Sequence, residues 1–526
     1  MLNPRATLLG VLLATAMTFS AAQAASFRWA NDGDVGAMDP DTRQETVQLS
    51  FLSNIYEPLA RRDKDLKIEP ALAVKWEQTS PTVWRFHLRP GVKWQDGSPL
   101  TADDVVFSFQ RIMAKSSMMR APMSPVKEVR KVDDMTVDFE TSKPDPIFMQ
   151  EQTNFLIMNK AWCEAHHATE PVVIGGTDDN YAVHNAMGTG PYKLVSREPD
   201  RKTVVEKNPG WWDKNASNAD QVEFDVVASA ATRVAALLSG DVDMIYSVPP
   251  QDMKRIAASP DLKLLQHPEL RTIYLGLNVS SDELKSSDIK GKNPLKDLRV
   301  RQAFVLAIDE PVIAQKVMLG LAHPSFEMWG PGVNGYNAKL DVRPKADPAK
   351  AKQLLAEAGY PNGFKLGMDC PNDRYVMDEQ ICTAIVSMLA RIGVKVDLLA
   401  QTKAKFFAKT NGPKYDTDFF LIGWTPATYD AHNALYSLVG TRGNGRGEVN
   451  DGGYSNPTLD DLITQIGIET DPVKRTALID RSIEILQHDA AVIPLHQQVI
   501  VWATKKNVDV VQMADDYFPY RFITVK

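Results

Sequence analysis

The chain has 526 residues, more than one hydrophobic core organises, so two or more globular units are expected. Its 44% hydrophobic and 24% charged content, with ordinary glycine and proline numbers, excludes a disordered or fibrous chain. A formal net charge of −7 argues against nucleic acid and anionic membrane surfaces as partners.

Residues 1–24 read as a cleaved export signal. Arg5 precedes an apolar run over residues 8–17, and Ala22-Gln23-Ala24 supplies the small residues of a signal peptidase site. About ten apolar residues are too few to span a bilayer, and no cysteine near the cleavage point offers a lipid attachment site. The mature chain is therefore expected free in a periplasm, beginning near Ala25. Three cysteines are an odd set for that oxidising compartment, allowing at most one internal bridge. Cys370 and Cys382, close in sequence on either side of a loop, are the favoured pair, which leaves Cys163 as a thiol.

From Phe27 the chain alternates short strands with turns and enters a helix expected over 47–59. Residues 83–88 alternate as a half-buried strand, and Arg89-Pro90-Gly91 and Asp96-Gly97 turn the chain. Thr101-Ala-Asp-Asp104 fits a capping box for a helix whose apolar face is Val105, Val106, Phe109 and Ile112. The segment of about 63–187 reads as an inserted subdomain with its own core, ending in the polar, glycine-rich run 175–180. Its methionines Met113, Met118, Met119 and Met123 fit gap-filling core or a mobile hairpin better than a soft-metal site. Cys163, His166 and His167 could ligate a metal from one helical turn, but no second cluster completes the set.

Gly188-Thr189-Gly190-Pro191-Tyr192 is a glycine-punctuated turn into a strand, whose glycines would let backbone approach a ligand closely. It lacks the Lys-Ser/Thr ending of a phosphate loop. A strand at 222–227, a helix at 231–239 and the run 240–245 make a further α/β unit. A strand at 272–279 then leaves this region, and a helix at 300–308 opens a second unit. Strands at 365–369, 395–400 and 419–423 alternate with helices there, the first of which carries Ile381, Ile385, Met388, Leu389 and Ile392 at helical spacing. That order predicts parallel strands with right-handed crossovers, so the loops after the first and third strands open on one edge.

Those two loops carry the candidate site. Arg374 and Tyr375 lie on the first; Trp424, Tyr429, Asp430 and Asn433 lie on the third. A cation and an anion offered from neighbouring strand ends can hold the two ends of a zwitterion, or can pair with each other. The glycine-rich stretch 441–453 reads as a lid or binding loop. Asp471-Pro472 starts a long helix running to about 487. A strand near 499–503 and the last 20 or so residues should then return to the first unit, giving paired crossings that make a hinge.

At this point the sequence resembles family 5 of the periplasmic solute-binding proteins, the dipeptide, oligopeptide and nickel-chelate receptors of ABC importers. The marks are the run Trp84 to Trp94 with Asp96-Gly97, Thr101 to Phe109, Gly188 to Tyr192, Val300-Arg-Gln-Ala303 with Ala307-Ile-Asp309, and Gly423-Trp424 followed by Asp430. The resemblance covers nearly the whole mature chain. It implies an α/β, two-lobed periplasmic binding protein of type II, cluster C, with an extra subdomain in lobe I. Lobe I would be 25–272 plus 498–526, and lobe II 273–497. It further implies a monomer without catalysis, cofactor or metal, whose partners are a short peptide and an inner-membrane ABC permease.

Within the family the sequence is similar to dipeptide-type receptors. That likeness gives Asp430 the peptide ammonium and Arg374 the carboxylate, with Trp424 and Tyr429 lining side-chain space. Main-chain groups of Thr189, Gly190 and the Met38 region would pair the peptide backbone. The context Tyr429-Asp430-Ala431 and the cysteine positions depart from the dipeptide pattern. A non-peptide solute such as a metal chelate, opine or oligosaccharide is therefore the alternative. A secreted peptide hydrolase is a distant one, since neither Gly-x-Ser-x-Gly nor His-Glu-x-x-His occurs.

Overall fold

The computed structural model describes residues 25–173, 179–213, 217–410, 415–443 and 445–526. Residues 1–24, on which the expected export signal falls, and residues 175–178 of the glycine-rich run lie outside the described residues. Two long apolar strands, Leu262–Leu277 and Val492–Lys505, run antiparallel through the middle of an eleven-stranded sheet. On one side of them lie Phe419–Trp424, Lys365–Pro371 and Lys395–Gln401. On the other lie Met244–Ile245, Ser26–Asn31, Gln221–Val226, Lys202–Lys207 and Tyr192–Glu198, and the short strand Ala322–Pro324 pairs with Val492–Lys505 off this path.

The register of the two long strands breaks between Pro268 and Thr272. A proline has no amide hydrogen for the ladder, and a break of this kind bends a strand. The bend falls where the sheet changes sides: Leu262 to Pro268 pair with Val499 to Lys505, whereas Thr272 to Leu277 also pair with Phe419–Trp424. The sequence places this strand's start at 272; it begins ten residues earlier, with half-buried positions whose alternation is weak.

Hydrophobic packing divides in the same way. One core draws on residues 270–513 together with Leu66. Three smaller cores occupy the N-terminal half, and the tail returns to one of them: Phe518 packs on Trp29 with ring centres 5.3 Å apart, and the Trp29 indole donates to the Tyr520 hydroxyl at 3.0 Å. In the second half, Lys365–Pro371 and Lys395–Gln401 are parallel, as the β-α-β-α-β order requires, and Asp369 meets Phe420 in parallel as well. The helix Asp378–Ala390 buries Ile381, Ile385, Met388 and Leu389 against them.

Within the N-terminal half a separate four-stranded antiparallel sheet, with strands Ala73–Ser80, Val83–Leu88, Thr136–Thr141 and Val126–Asp133, has its own core. The helix Ala102–Ile112 begins at a capping box between Thr101 and Asp104 and buries Val105, Phe109 and Ile112 there. Met119 and Met123 fill this core, and Met118 is exposed. The helix expected over 47–59 is shorter, Thr46–Leu52. Asn54 turns its amide back onto the carbonyls of Ser50 and Phe51 and competes with the next helical turn. Among the described residues no helix is long and apolar enough to cross a membrane.

Candidate functional site

A wide opening, about 2020 Å³ with its mouth, lies between the two halves. Trp29, Asn31 and residues 44–50 line it from the N-terminal half, and Asp373 to Met377 with Lys403 line it from the other. Both walls are built at carboxyl ends of strands, where open α/β sheets place ligands. Its floor, at the two crossing strands and the tail, carries Arg271, Gln498 and Asp516.

Arg374 stands on the second wall, on a loop fastened from three sides. Cys370 and Cys382 are bonded, with Cα atoms 6.6 Å apart, tying the strand end to the following helix. The Asp378 carboxylate accepts the amides of Arg374 and Tyr375, each at 3.0 Å. The Val376 amide donates to the Gln498 side chain at 2.9 Å. The guanidinium itself is exposed, 5.1 Å from the Tyr375 ring centre, and no carboxylate of the described residues pairs with it.

Asp430 is placed otherwise than the sequence reading has it. Its carboxylate is fully buried and held by both terminal nitrogens of Arg475, at 2.8 and 2.7 Å. Asn334 donates to it at 2.7 Å and the His432 amide at 2.8 Å. Asp430 therefore caps the short helix Ala431–Ala434 and anchors the long helix Pro472–Asp489. It does not border the cleft, so it neither faces a ligand nor pairs with Arg374. A buried carboxylate must be matched by a cation nearby, and Arg475, itself 5% exposed, supplies it.

The model of the bacterial extracellular solute-binding proteins, family 5, matches residues 67–446 of the chain. It is a family 5 solute-binding protein. Its sequence is 28% identical over 511 residues to the probable deoxycholate-binding periplasmic protein YgiS of Escherichia coli K12, covering 92% of this chain and 90% of that one. It is 25% identical over 514 residues to the glutathione-binding protein GsiB of the same organism, covering 96% and 95%. Its fold superposes with a TM-score of 0.75 on the ABC transporter-associated periplasmic binding protein DppA of Helicobacter pylori in complex with the peptide STSA. That match covers 95% of this chain and 98% of the other at 23% identity. The chain thus has the two-lobed α/β fold of periplasmic binding proteins, and the large opening is its interlobe cleft.

Of the other sequence-predicted residues of this solute-binding protein, Tyr375 lines the cleft beside Arg374, and the rest are engaged within the protein itself. Trp424 ends its strand with the indole donating to the Asn433 side chain at 3.1 Å, and Asn433 also accepts from the Ala427 amide at 3.3 Å. These two residues shape the loop and do not border the cleft. Tyr429, in the left-handed backbone region at φ 55°, is buried beneath Arg62, whose guanidinium carbon lies 3.6 Å from its ring centre. Its hydroxyl donates to Asp515 at 2.9 Å, so it ties this loop to the returning tail.

The Gly190 and Met38 amides and the Thr189 hydroxyl are already engaged within the protein. The Gly190 amide donates to the Ile55 carbonyl and the Met38 amide to the Val183 carbonyl, each at 2.9 Å. The Thr189 hydroxyl donates to Glu57 at 2.9 Å. A Cβ at Gly188 would sit 1.8 Å from the Ile55 oxygen, so the glycines admit another backbone, not a ligand. Cys163 is buried, which pushes its thiol up to about 12, and His166 stacks on Tyr181 at 4.1 Å. No group of three metal-capable side chains occurs among the described residues.

The cleft floor was missed. Glu269 accepts from Arg271 at 2.9 Å and from Gln498 at 2.6 Å. Asp516, at φ 64°, lies beside Glu269, and burial first and Glu269 second push its carboxyl well above the usual range. Glu269 and Arg271 lie in the stretch of the strand where its register breaks, which the sequence reading left outside the strand. Nothing in the sequence places Asp516 against them.

Proposed function

We propose that this protein is the periplasmic receptor of an ABC importer and captures a short peptide, or another small carboxylate-bearing solute, by lobe closure. Lobe I comprises residues 25–272 and 498–526, lobe II comprises 273–497, and the hinge is the pair of strands that cross between them at the Pro268–Thr272 register break. The closed form is what an inner-membrane permease would distinguish from the open one. Residues 1–24 direct export.

Arg374 carries this reading. An exposed guanidinium without a carboxylate partner, on a loop fixed by a disulfide, Asp378 and Gln498, is prepared to receive a carboxylate in a cleft that closes over it. Glutathione, deoxycholate and a peptide, the ligands named for the similar proteins, share that group. Native mass spectrometry of freshly purified protein tests the class: a copurifying small molecule with a carboxylate agrees with it, and a neutral oligosaccharide overturns it.

The occupied state of Asp430 favours a second reading, in which the solute has no free ammonium, as in an acylated amino acid, an opine or a metal chelate. In calorimetry, a peptide and its N-acetylated form would bind equally on this reading. Loss of binding on acetylation would restore the free peptide and require another acceptor for its ammonium, for which Asp516 is the carboxylate on the cleft floor.

A further inference from the structure

Arg62 is 8% exposed, and no carboxylate of the described residues lies within ion-pair distance of it. Its terminal nitrogens donate to the Leu66 carbonyl and the Gln150 side chain, both at 2.8 Å, its face covers Tyr429, and its Nε has no partner. Buried charge is ordinarily matched by opposite charge, because removing it from water is costly. Arg62 therefore lacks a partner of the kind that burial demands.

Two more guanidiniums lie close by. Arg61 spends Nε on Glu69 at 2.7 Å and one terminal nitrogen on Asp213 at 2.8 Å, leaving its Nη1 without a partner. Arg521 donates to the Arg62 carbonyl at 2.6 Å and reaches Glu69 at 3.5 Å, a carboxylate that Arg61 already holds. Burial, and then the charge of Arg61, pulls Arg521 down to about 10. The three arginines border one chamber of about 590 Å³ with its mouth, together with Trp211, Tyr429 and Met513.

Two carboxylates also face this chamber, and both have donors of their own. Glu57 accepts from Thr189, Trp211 and Trp212 at 2.9 to 3.1 Å. Asp515 accepts from the Tyr429 hydroxyl at 2.9 Å and the Tyr517 amide at 3.0 Å. The chamber is separate from the ligand cleft: on the returning tail Asp515 borders the one and Asp516 the other.

We propose that this chamber is an anion-binding annex that takes the carboxylate of a small organic acid between Arg61, Arg62 and Arg521. A planar two-oxygen group matches the guanidinium fork, and Trp211, Tyr429 and Met513 offer apolar surface to a short carbon body. Tyr429 belongs to the second lobe and Arg62 to the first, so an occupant contacts both and biases the protein toward the closed state.

The test compares acetate with chloride at matched ionic strength by thermal melting of the whole mature protein, as wild type and as Arg62→Met and Arg374→Met. The annex predicts a saturable rise in Tm with acetate in wild type and in Arg374→Met, and its loss in Arg62→Met. Should Arg62→Met fail to fold, Arg521→Gln replaces it and should raise the half-saturating acetate concentration at least threefold. Crystals soaked in bromoacetate should show the bromine anomalous signal in the chamber beside Arg62. Acetate acting no differently from chloride in wild type, an unchanged response in the chamber variants, or bromine elsewhere overturns the proposal.

Discussion

Arg475 grips Asp430 with both terminal nitrogens, 45 residues away in sequence and with both side chains buried. Removing one member of such a pair leaves the other buried and uncompensated, at a cost of about 3–5 kcal/mol. Asp430→Ala is therefore expected to lower the denaturant midpoint strongly while changing ligand affinity less than threefold in the protein that remains folded. Calorimetry beside denaturant unfolding separates the two effects.

The bond between Cys370 and Cys382 fixes the loop that carries Arg374. Closing a loop of this size constrains the unfolded chain by about 2–4 kcal/mol. A Cys370→Ser, Cys382→Ser double variant should lose stability of that order and also bind ligand more weakly, since Arg374 would no longer be held in place. Urea melts and titrations on the same preparations check both effects.

Tyr429 hydrogen-bonds Asp515 of the returning tail. Tyr429→Phe keeps the ring under Arg62 but takes a donor from a buried carboxylate, costing about 1–3 kcal/mol. If the bond is a clasp between lobes, small-angle scattering of the ligand-free variant should show a larger radius of gyration than wild type. An unchanged radius would limit the bond to a local role.

Glu327 is buried, with one carboxyl oxygen lacking a partner and Asp341 nearby; burial first and Asp341 second push it up to about 8. The folded protein thus holds a proton that the unfolded chain releases near pH 4.5. Stability from this group is fully present below that pH and is lost as pH rises toward 8. Glu327→Gln should flatten this part of the profile, so melts at pH 5 and pH 8 should differ less for the variant than for wild type.

The architecture was legible wherever one local pattern decided it. The helical spacing of Ile381, Ile385, Met388 and Leu389 between two apolar runs gave parallel strands, and with them the edge on which Arg374 stands. The Thr101–Asp104 capping box and the returning tail were readable for the same reason. Asp430 was not, because its fate depends on Arg475, which the fold brings in from a distant helix. Gly188 and Gly190 were read as admitting a ligand, whereas the group against them is the Ile55 backbone, which nothing local in the sequence specifies. Arg62 shows the same limit: a basic residue in a turn-rich segment gives no sign that the tail and the Tyr429 loop will enclose it.

The central claim is that Arg374 receives the solute's carboxylate in the interlobe cleft. Isothermal titration of the copurified ligand, or of a dipeptide if that is its class, into wild type and Arg374→Met tests it most directly. Losing one partner of a charge pair buried on binding costs about 2–5 kcal/mol, so affinity should fall by roughly thirtyfold or more with melting behaviour unchanged. A loss of less than threefold would contradict the account.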